Sequence, residues 1–397
     1  MTTAEPSIRC EYGSLTHPAA ASICGAVTRC CRAACGSAVK ALVLTGSMAR
    51  DEASFVPQGT GWKALGDAEF LLVVPHRTSR AFQLNLHRDI DRALISAKIH
   101  CDVTISSSTI RGLEQMKPRI FSYELRTMGR VVWGDPGILA RIPNFSATEI
   151  ERADAWEMLN NRMIEYLETF AEPSKGADHS QFEQYRAIKL VLDAATSFLV
   201  FTGDYVPSYR GRSERISALA KLPPPEGTPL ELREFARIVA ECTSLKLVPS
   251  AGVRWLNETT REMTVDYARR LWLWELALLT ESSADMGRQA ILRSFAKLQP
   301  RPQRFIAWLR VLRRRRFDDW KSWPLWLHQS MIGSPRLLIY GAAAELFFAE
   351  RNDAFPPKLC SDWLRRLLPL HVSQKCASVW EQLSRDVSYN YRELLVS

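Results

Sequence analysis

Four segments between residues 41 and 105 alternate strand-like and helix-like patterns, and their order restricts the fold of this chain more than any other feature. The first two are short apolar runs that stop at a glycine or a proline, as buried strands do. The third repeats apolar residues at helical spacing, and the fourth alternates apolar with polar residues, which is the period of a strand. Helices packed on a sheet are therefore predicted here. The segments are 41–45, 67–74, 82–97 and 98–105.

The domain organisation follows from a change of pattern after Gly134-Asp135-Pro136. From about residue 146 onward the pattern is helical, with no clear alternating strand. A chain of 397 residues exceeds what one hydrophobic core usually holds, so two or three domains are expected. We predict an N-terminal domain over residues 1–140, a helical domain over 141–298 and a C-terminal helical region over 299–397, the last beginning where two prolines interrupt the helices.

Composition limits the class of protein without naming a function. The hydrophobic share of 46% and the charged share of 24% are ordinary for a folded globular protein. The net charge of +9 favours acidic partners such as triphosphates, nucleic acid or anionic lipid. Since no secretory signal is visible and the nine cysteines show no zinc-ligand spacing, we expect a cytoplasmic chain with reduced thiols. No apolar run reaches the roughly 20 residues that span a bilayer, so no transmembrane segment is predicted.

Three pieces of the N-terminal region carry residue types suited to phosphate and metal chemistry. Gly46-Ser47 follows the first predicted strand, where a turn into a helix leaves N–H groups free for the outer phosphates of a triphosphate. Asp67 and Glu69 are two residues apart on a predicted strand, so their side chains leave the same face. Asp102 lies on the polar side of the last predicted strand, and joins the other two carboxylates if the strands are neighbours.

Clustered carboxylates of this kind favour a divalent-metal site, because like charges repel unless cations lie between them. Mg²⁺ prefers hard oxygen ligands, and two such ions about 3.5–4 Å apart can hold the attacking and leaving oxygens of an in-line displacement. Asp102 can hold the ion that activates an acceptor hydroxyl and can take the hydroxyl's proton. Any one piece alone fits an ordinary turn or a solvated strand edge. Their combined order favours the metal site.

The pattern Gly46-Ser47, Asp67-x-Glu69 and Asp102 resembles the nucleotidyltransferase domain of the DNA polymerase β superfamily, which includes the aminoglycoside nucleotidyltransferases. The resemblance covers about residues 20–135, and the stretch Arg130 to Asp135 is similar to the end of that domain in members that act on small molecules. Two features depart from the family. The segment between Ser47 and Asp67 is longer than in many members, and the second carboxylate is a glutamate rather than an aspartate.

The resemblance implies an α+β fold, in which a mixed sheet with flanking helices forms the catalytic domain and the helical domain completes a cleft. It also implies two Mg²⁺ ions, or Mn²⁺, and transfer of a nucleoside monophosphate from a nucleoside triphosphate to a hydroxyl-bearing acceptor, with release of pyrophosphate. A small-molecule acceptor is favoured because no RNA-binding module is recognised. The alternatives are transfer to RNA or protein, and a non-catalytic nucleotide-binding regulatory protein.

Basic residues in the helical part supply further candidates. A lysine on an early helix often reaches the triphosphate in this superfamily, and Lys189 is our candidate, although it fits equally a lysine at the edge of an apolar face. The segment 205–212 combines aromatic and basic residues that can line a pocket. A run of four arginines among tryptophans allows nucleic-acid binding, but a solvated basic helix face with buried tryptophans is favoured. That run is Arg313, Arg314, Arg315 and Arg316.

Overall fold

The computed structural model describes most of the chain and divides it into two compact units. The described residues are 15–36, 39–76, 78–171, 177–224, 227–249, 255–282, 288–314, 323–349, 364–370 and 378–396. The first unit comprises residues 1–151, 202–218 and 240–253, and the second comprises 152–201, 219–239 and 254–397. The first unit contains the strands and the second is helical, so the predicted α+β class with a sheet region followed by helices is confirmed.

Seven strands form two sheets in the first unit, within the described residues. The strands are β1 Ala41–Thr45, β2 Phe55–Gln58, β3 Gly61–Ala64, β4 Ala68–Val73, β5 Ile99–His100, β6 Val103–Ser108 and β7 Arg130–Gly134. The larger sheet has the order β6-β4-β1-β7. Strand β1 is antiparallel to both of its neighbours, whereas β4 and β6 are parallel, so the sheet is mixed as expected.

Helix α3 lies where the helical spacing of 82–97 predicts it, and helices form most of the described chain after residue 151. The first five are α1 Pro18–Cys35, α2 Gly46–Ala49, α3 Arg80–Ser96, α4 Ile110–Glu114 and α5 Ile120–Met128. They are followed by α6 Arg152–Ala171, α7 Ala177–Thr202, α8 Tyr209–Leu219, α9 Leu232–Leu247, α10 Glu258–Thr280, α11 Arg288–Leu298, α12 Arg301–Arg314, α13 Trp323–Ile332, α14 Pro335–Phe348 and α15 Val379–Tyr391. Among the described helices, none is both long and apolar enough to cross a membrane.

The segment 51–66, which its glycines and proline predict as a loop, instead contains the hairpin β2–β3. Gly59 adopts a φ of +59° in the connection, a conformation that costs glycine little, and Gln58 pairs with Gly61 across the turn. The hairpin is extended by β5, which pairs with β3 in parallel. Gly61 allows this close approach, because a Cβ there would lie 1.9 Å from the Lys98 carbonyl oxygen.

The prediction of one continuous strand over 98–105 is also wrong. The segment breaks at Cys101 and Asp102, and its two halves join different sheets: β5 belongs to the smaller sheet and β6 to the larger one. Asp102 therefore lies just before a strand and not in the middle of one. The alternating pattern continues through the break, so the sequence period alone gives no sign of it.

Each face of the larger sheet carries its own hydrophobic core. On one face Leu42 and Phe70 pack with Ile23 of α1 and Ile90 of α3. On the other face the core includes Val43 and Leu71 from the sheet, Leu113 from α4 and Leu125 from α5. Burial of each such side chain contributes about 1.5–3 kcal/mol relative to exposure. The two faces are thus set by the period-2 alternation of β1 and β4.

Aromatic packing organises the second unit. Trp156 of α6 lies 5.8 Å from the ring of Trp272 on α10 and 5.8 Å from Tyr340 on α14, measured between ring centroids. The Trp272 indole N–H donates to the buried Asn160 Oδ1 at 2.9 Å. The buried amide of Asn160 is therefore satisfied within an apolar core, which avoids the cost of an unpaired polar group.

Candidate functional site

The end of β1 brings Gly46 against the carboxylate of Glu69. Thr45 pairs with Glu69 in the antiparallel register, and Gly46 follows with a φ of +67°. A Cβ at Gly46 would lie 2.6 Å from Glu69 Oε2, which is closer than real Cβ contacts allow. The positive φ therefore favours glycine here, and any other residue would have to displace the Glu69 carboxylate. The structure brings together two of the predicted pieces, the glycine turn and the second carboxylate.

Asp67 and Asp102 lie next to each other at the beginning of two parallel strands. Ala68 pairs with Val103 in register, and the Ala68 N–H donates to the Asp102 carbonyl oxygen at 2.8 Å. Both aspartate side chains are exposed. Burial raises the pKa of the nearby Cys101 thiol to about 12, and the charges of Asp102 and Asp67 add to this increase. The two aspartates therefore share one edge of the larger sheet.

Strand alternation gives an expectation for the face that these carboxylates take. Ala68 and Val103 both belong to the core on the side of α1 and α3. Their preceding residues, Asp67 and Asp102, are expected on the opposite face by alternation, where Glu69 also lies, because side chains of neighbouring strands in register point the same way. Asp67 and Asp102 lie just outside the paired strands, so the common face of the three residues remains a prediction.

The donor chemistry of this edge fits Mg²⁺, because carboxylate oxygens are the hard ligands that this ion prefers. Within the described part of the chain, no group of three or more His, Cys, Asp or Glu side chains is arranged as a metal site. The backbone register places Asp67 and Asp102 side by side, each one residue before its strand, and the described structure forms no metal-binding group from them and Glu69. The shared metal site remains a prediction.

Ser47 stands in the short helix α2 and is partly exposed. Its carbonyl oxygen accepts a hydrogen bond from the Glu52 N–H at 2.8 Å, which closes the chain after α2. Met48 and Ala49, which follow it, are buried. The serine is therefore held at the surface end of an anchored turn, and its predicted contact with a triphosphate remains a prediction.

A buried ionic cluster fixes the residue that ends this turn, and sequence reasoning missed it. Arg50 donates from Nη1 to Glu124 Oε2 at 2.7 Å and from Nε to Glu52 Oε2 at 3.1 Å. Burial alone lowers the pKa of Arg50, but Glu124, Tyr209 and Glu52 together raise it above its usual value. Arg50 therefore keeps its charge and attaches the end of α2 to α5.

The same cluster includes residues distant in sequence but inside the first unit. Arg212 of α8 donates to Glu124 Oε1 at 2.5 Å, and the Tyr205 hydroxyl donates to the same oxygen at 2.5 Å. Glu52 accepts from the backbone N–H of Tyr209 at 3.0 Å. Lys246 of α9 is 1% exposed, and its ammonium donates to the Glu52 carbonyl oxygen at 3.0 Å. We name these seven residues the arginine cluster: Arg50, Glu52, Glu124, Tyr205, Tyr209, Arg212 and Lys246.

The arginine cluster assigns a structural role to the segment 205–212. The guanidinium of Arg212 also lies 4.9 Å from the Tyr209 ring centroid, and its Nε donates to the Val206 carbonyl oxygen at 3.0 Å. Arg212 is 3% exposed and occupied with these partners. In the sequence, the clustering of aromatic and basic residues in 205–212 marks this segment. It does not distinguish residues that anchor the fold from residues that line a pocket.

Lys189 lies in the second unit, separate from the unit that carries the three carboxylates. It is partly exposed on α7, and its ammonium lies 5.8 Å from the Tyr185 ring centroid. Its apolar neighbours Ile188 and Leu190 are buried, which agrees with a lysine at the edge of an apolar face. Its predicted contact with the triphosphate remains a prediction.

Part of the arginine run lies within the described residues. Arg313 is exposed near the end of α12, which closes at Arg314, whereas Arg315 and Arg316 lie outside the described residues. Of the neighbouring tryptophans, Trp308 and Trp326 are buried, as favoured. Trp323 is 43% exposed, and Trp320 lies outside the described residues.

No known protein-family model matches this chain, and no curated protein is significantly similar to it. The argument for a function therefore depends on the residues and their geometry.

Proposed function

We propose that this chain is a metal-dependent nucleotidyltransferase that moves a nucleoside monophosphate from a nucleoside triphosphate to a hydroxyl-bearing acceptor, with a small molecule favoured. The observation that carries the proposal is the juxtaposition at one sheet edge. Gly46 contacts the Glu69 carboxylate, and Asp67 lies beside Asp102 at the start of two parallel strands. A glycine turn next to three carboxylates suits a ligand that brings both phosphates and divalent cations.

The reaction is an in-line displacement at the α-phosphorus. The acceptor oxygen forms a bond to this phosphorus, the bond to the bridging oxygen of the β-phosphate breaks, and pyrophosphate leaves. Asp102 receives the proton of the acceptor hydroxyl. Gly46 and Ser47 hold the outer phosphates through backbone N–H groups and the serine hydroxyl.

Mg²⁺ would be held by Asp67, Glu69 and Asp102. When bound, it supplies charge stabilisation for the phosphates and lowers the pKa of the acceptor hydroxyl. The carboxylates of Asp67 and Asp102 are exposed and so remain accessible to a hydrated ion, whereas Glu69 is held against the glycine turn. Mn²⁺ has similar ligand preferences and is the first alternative ion.

The arginine cluster supports this assignment indirectly. It binds the end of α2 through Arg50 to Glu124 and thereby fixes the turn that contains Gly46 and Ser47. A rigid support for a phosphate-binding turn lowers the entropy cost of holding the substrate. Lys189 is proposed to add positive charge for the leaving pyrophosphate.

The test is a panel of the four common nucleoside triphosphates with Mg²⁺ or Mn²⁺ and a metabolite extract. Mass spectrometry should find an acceptor whose mass has increased by one nucleotide, together with pyrophosphate. The variants Asp67→Asn, Glu69→Gln and Asp102→Asn should each lose the product. Asp91→Asn, an exposed carboxylate on α3, is the matched control and should retain it.

The outcomes separate the alternatives. A mass gain on RNA or protein would change the acceptor class but keep the reaction. Triphosphate binding with no product under any condition would indicate a regulatory nucleotide-binding protein. Product formation at the wild-type rate by all three carboxylate variants would overturn the proposed site.

A further inference from the structure

The second unit contains a large cavity between its C-terminal helices. It has a volume of about 890 Å³ and lies among α11, α12, α13 and α14. Its lining is mainly apolar, with Leu292, Phe305, Leu337 and Leu338 among the contributors. Gly341 leaves room in the wall contributed by α14. A cavity of this size and lining is typical of sites for ligands with a substantial apolar part.

The polar part of the lining is basic. Arg293, Lys297, Arg301 and Arg304 contribute to the wall, and no acidic residue is found among the described residues that line the cavity. Four cations without a lining carboxylate create a positive potential beside an apolar interior. The complementary ligand is therefore an anion attached to a hydrocarbon, and not a neutral apolar molecule.

The protein satisfies the Arg304 guanidinium only in part, as far as the described residues show. Its Nη1 donates weakly to the Met331 carbonyl oxygen at 3.3 Å. Its Nε is buried, and no hydrogen-bond partner for it occurs among the described residues. A guanidinium that the protein satisfies only in part is stabilised by an anion seated beside it.

Apolar side chains around the cavity are unusually exposed. Phe305 is 56% exposed and Met331 is 76% exposed, and both contribute to its lining. Single exposed apolar residues are common, but here they converge on one opening rimmed by cations. An acyl chain that enters this opening would cover them, and its headgroup would remain near the basic wall.

We propose that this cavity binds a single-chain amphiphile with an anionic headgroup, namely a long-chain carboxylate, with its chain along Leu292, Leu337 and Leu338 and its carboxylate at Arg304. The proposal is independent of the nucleotidyl transfer proposed above, because every residue in it belongs to the second unit. Nucleic acid would use the exposed charges but would leave the apolar lining uncovered.

The experiment uses the full-length protein after delipidation, titrated by calorimetry with saturated carboxylates of 10, 12 and 14 carbons below their micelle concentrations. We expect one saturable site and a gain in affinity of about fourfold per methylene, from the transfer free energy of a buried CH₂. The alcohol of equal chain length should bind at least tenfold more weakly, because it cannot form a charge-assisted hydrogen bond with Arg304.

Two variants and one control test the geometry. Arg304→Gln should weaken the carboxylate at least tenfold and bring its affinity close to that of the alcohol. Gly341→Leu should occupy the part of the cavity beside Leu292 and weaken binding of both ligands. This change should not prevent folding, since leucine has a higher helix propensity than glycine and a Cβ at this position meets only Leu292 Cδ1 at 3.4 Å. Arg310→Gln, an exposed arginine on the same helix α12, should leave binding unchanged.

Three results would overturn the proposal. The first is equal affinity for the carboxylate and the alcohol, which would mean that the basic wall has no role. The second is the absence of saturable binding for every carboxylate tested, which would mean that the cavity is not a site for such ligands. The third is equal loss in Arg304→Gln and Arg310→Gln, which would indicate general electrostatic attraction to a basic helix.

Discussion

Glu275 should make the stability of the second unit fall as pH rises. This glutamate lies on α10 at 0% exposure, next to the fully buried Leu276. Burial raises its pKa from 4.5 to about 8, and the nearby Ser197 hydroxyl opposes this only in part. Neither carboxylate oxygen forms a regular hydrogen bond with a described residue. The neutral acid is therefore the form that the folded unit accommodates.

The sign and size follow from proton linkage. Between pH 4.5 and about 8 the folded chain holds a proton on Glu275 that the unfolded chain has released, so the free energy of unfolding decreases as pH rises. The slope is about 1.4 kcal/mol per pH unit, and the interval covers about 3.5 units, which gives about 5 kcal/mol in total. This contribution is complete below pH 4.5 and is lost by about pH 8. A typical domain has only about 5–15 kcal/mol of stability in all.

The assay is urea unfolding from pH 5 to 9, followed by tryptophan fluorescence. Of the twelve tryptophans, only Trp62 and Trp133 fall in the first unit, so fluorescence reports mainly on the second. Glu275→Gln should remove most of the decrease, because the amide does not titrate. Glu262→Gln, an exposed position on the same helix, should leave the pH dependence as in the wild type. If Glu275→Gln and the wild type lose the same free energy between pH 5 and 9, the reasoning is refuted.

Three further predictions concern the candidate site and its support. Gly46→Ala should lose at least tenfold in nucleotidyl transfer, because it adds backbone strain and displaces the Glu69 carboxylate. Gly59→Ala has the same sign of φ but nothing within 4 Å, so activity should survive there. Equal losses in the two variants would contradict the role given to Glu69. Glu124→Gln should lower the free energy of unfolding by about 3–5 kcal/mol in urea, since it removes the carboxylate that Arg50 and Arg212 share and leaves Glu52 as the other anion of the cluster. Glu114→Gln, at an exposed ion pair, should lose at most about 1 kcal/mol, and similar losses in the two variants would argue against the buried cluster. Lys189→Ala should weaken triphosphate binding in calorimetry without a change in unfolding free energy, and unchanged affinity would remove this lysine from the site.

The sequence predicted much of the larger sheet and little of its surroundings. β1, β4 and α3 follow from apolar runs and helical spacing, because their periods report burial directly. The glycines and the proline of 51–66 predict a loop in place of the hairpin β2–β3, since these residues mark turns and do not show whether short strands flank them. The period of 98–105 gives no sign of the break at Cys101 and Asp102, because the two strands keep the same alternation although they join different sheets.

The arginine cluster shows a different limit. Arg50 and Glu124 are 74 positions apart, and Lys246 lies 194 positions from Glu52. No local pattern marks such partners, because a buried charge is stable only where tertiary packing supplies the counter-charge and the hydrogen bonds. In the sequence, each of these residues is indistinguishable from a solvated one.

The amino-acid sequence by itself determined which residue types stand at the ends of three strands of the larger sheet. A glycine follows β1, and carboxylates stand around the start of β4 and of β6. Their periods also fixed which face of a strand each side chain takes, because strand geometry leaves little choice. Only the tertiary structure decided that the carboxylate of Glu69 rests against Gly46 and that Asp67 and Asp102 are neighbours, since strand order and register depend on packing against both cores. The cavity of the second unit also depends on the tertiary structure alone, because a space between four helices exists only after they have packed.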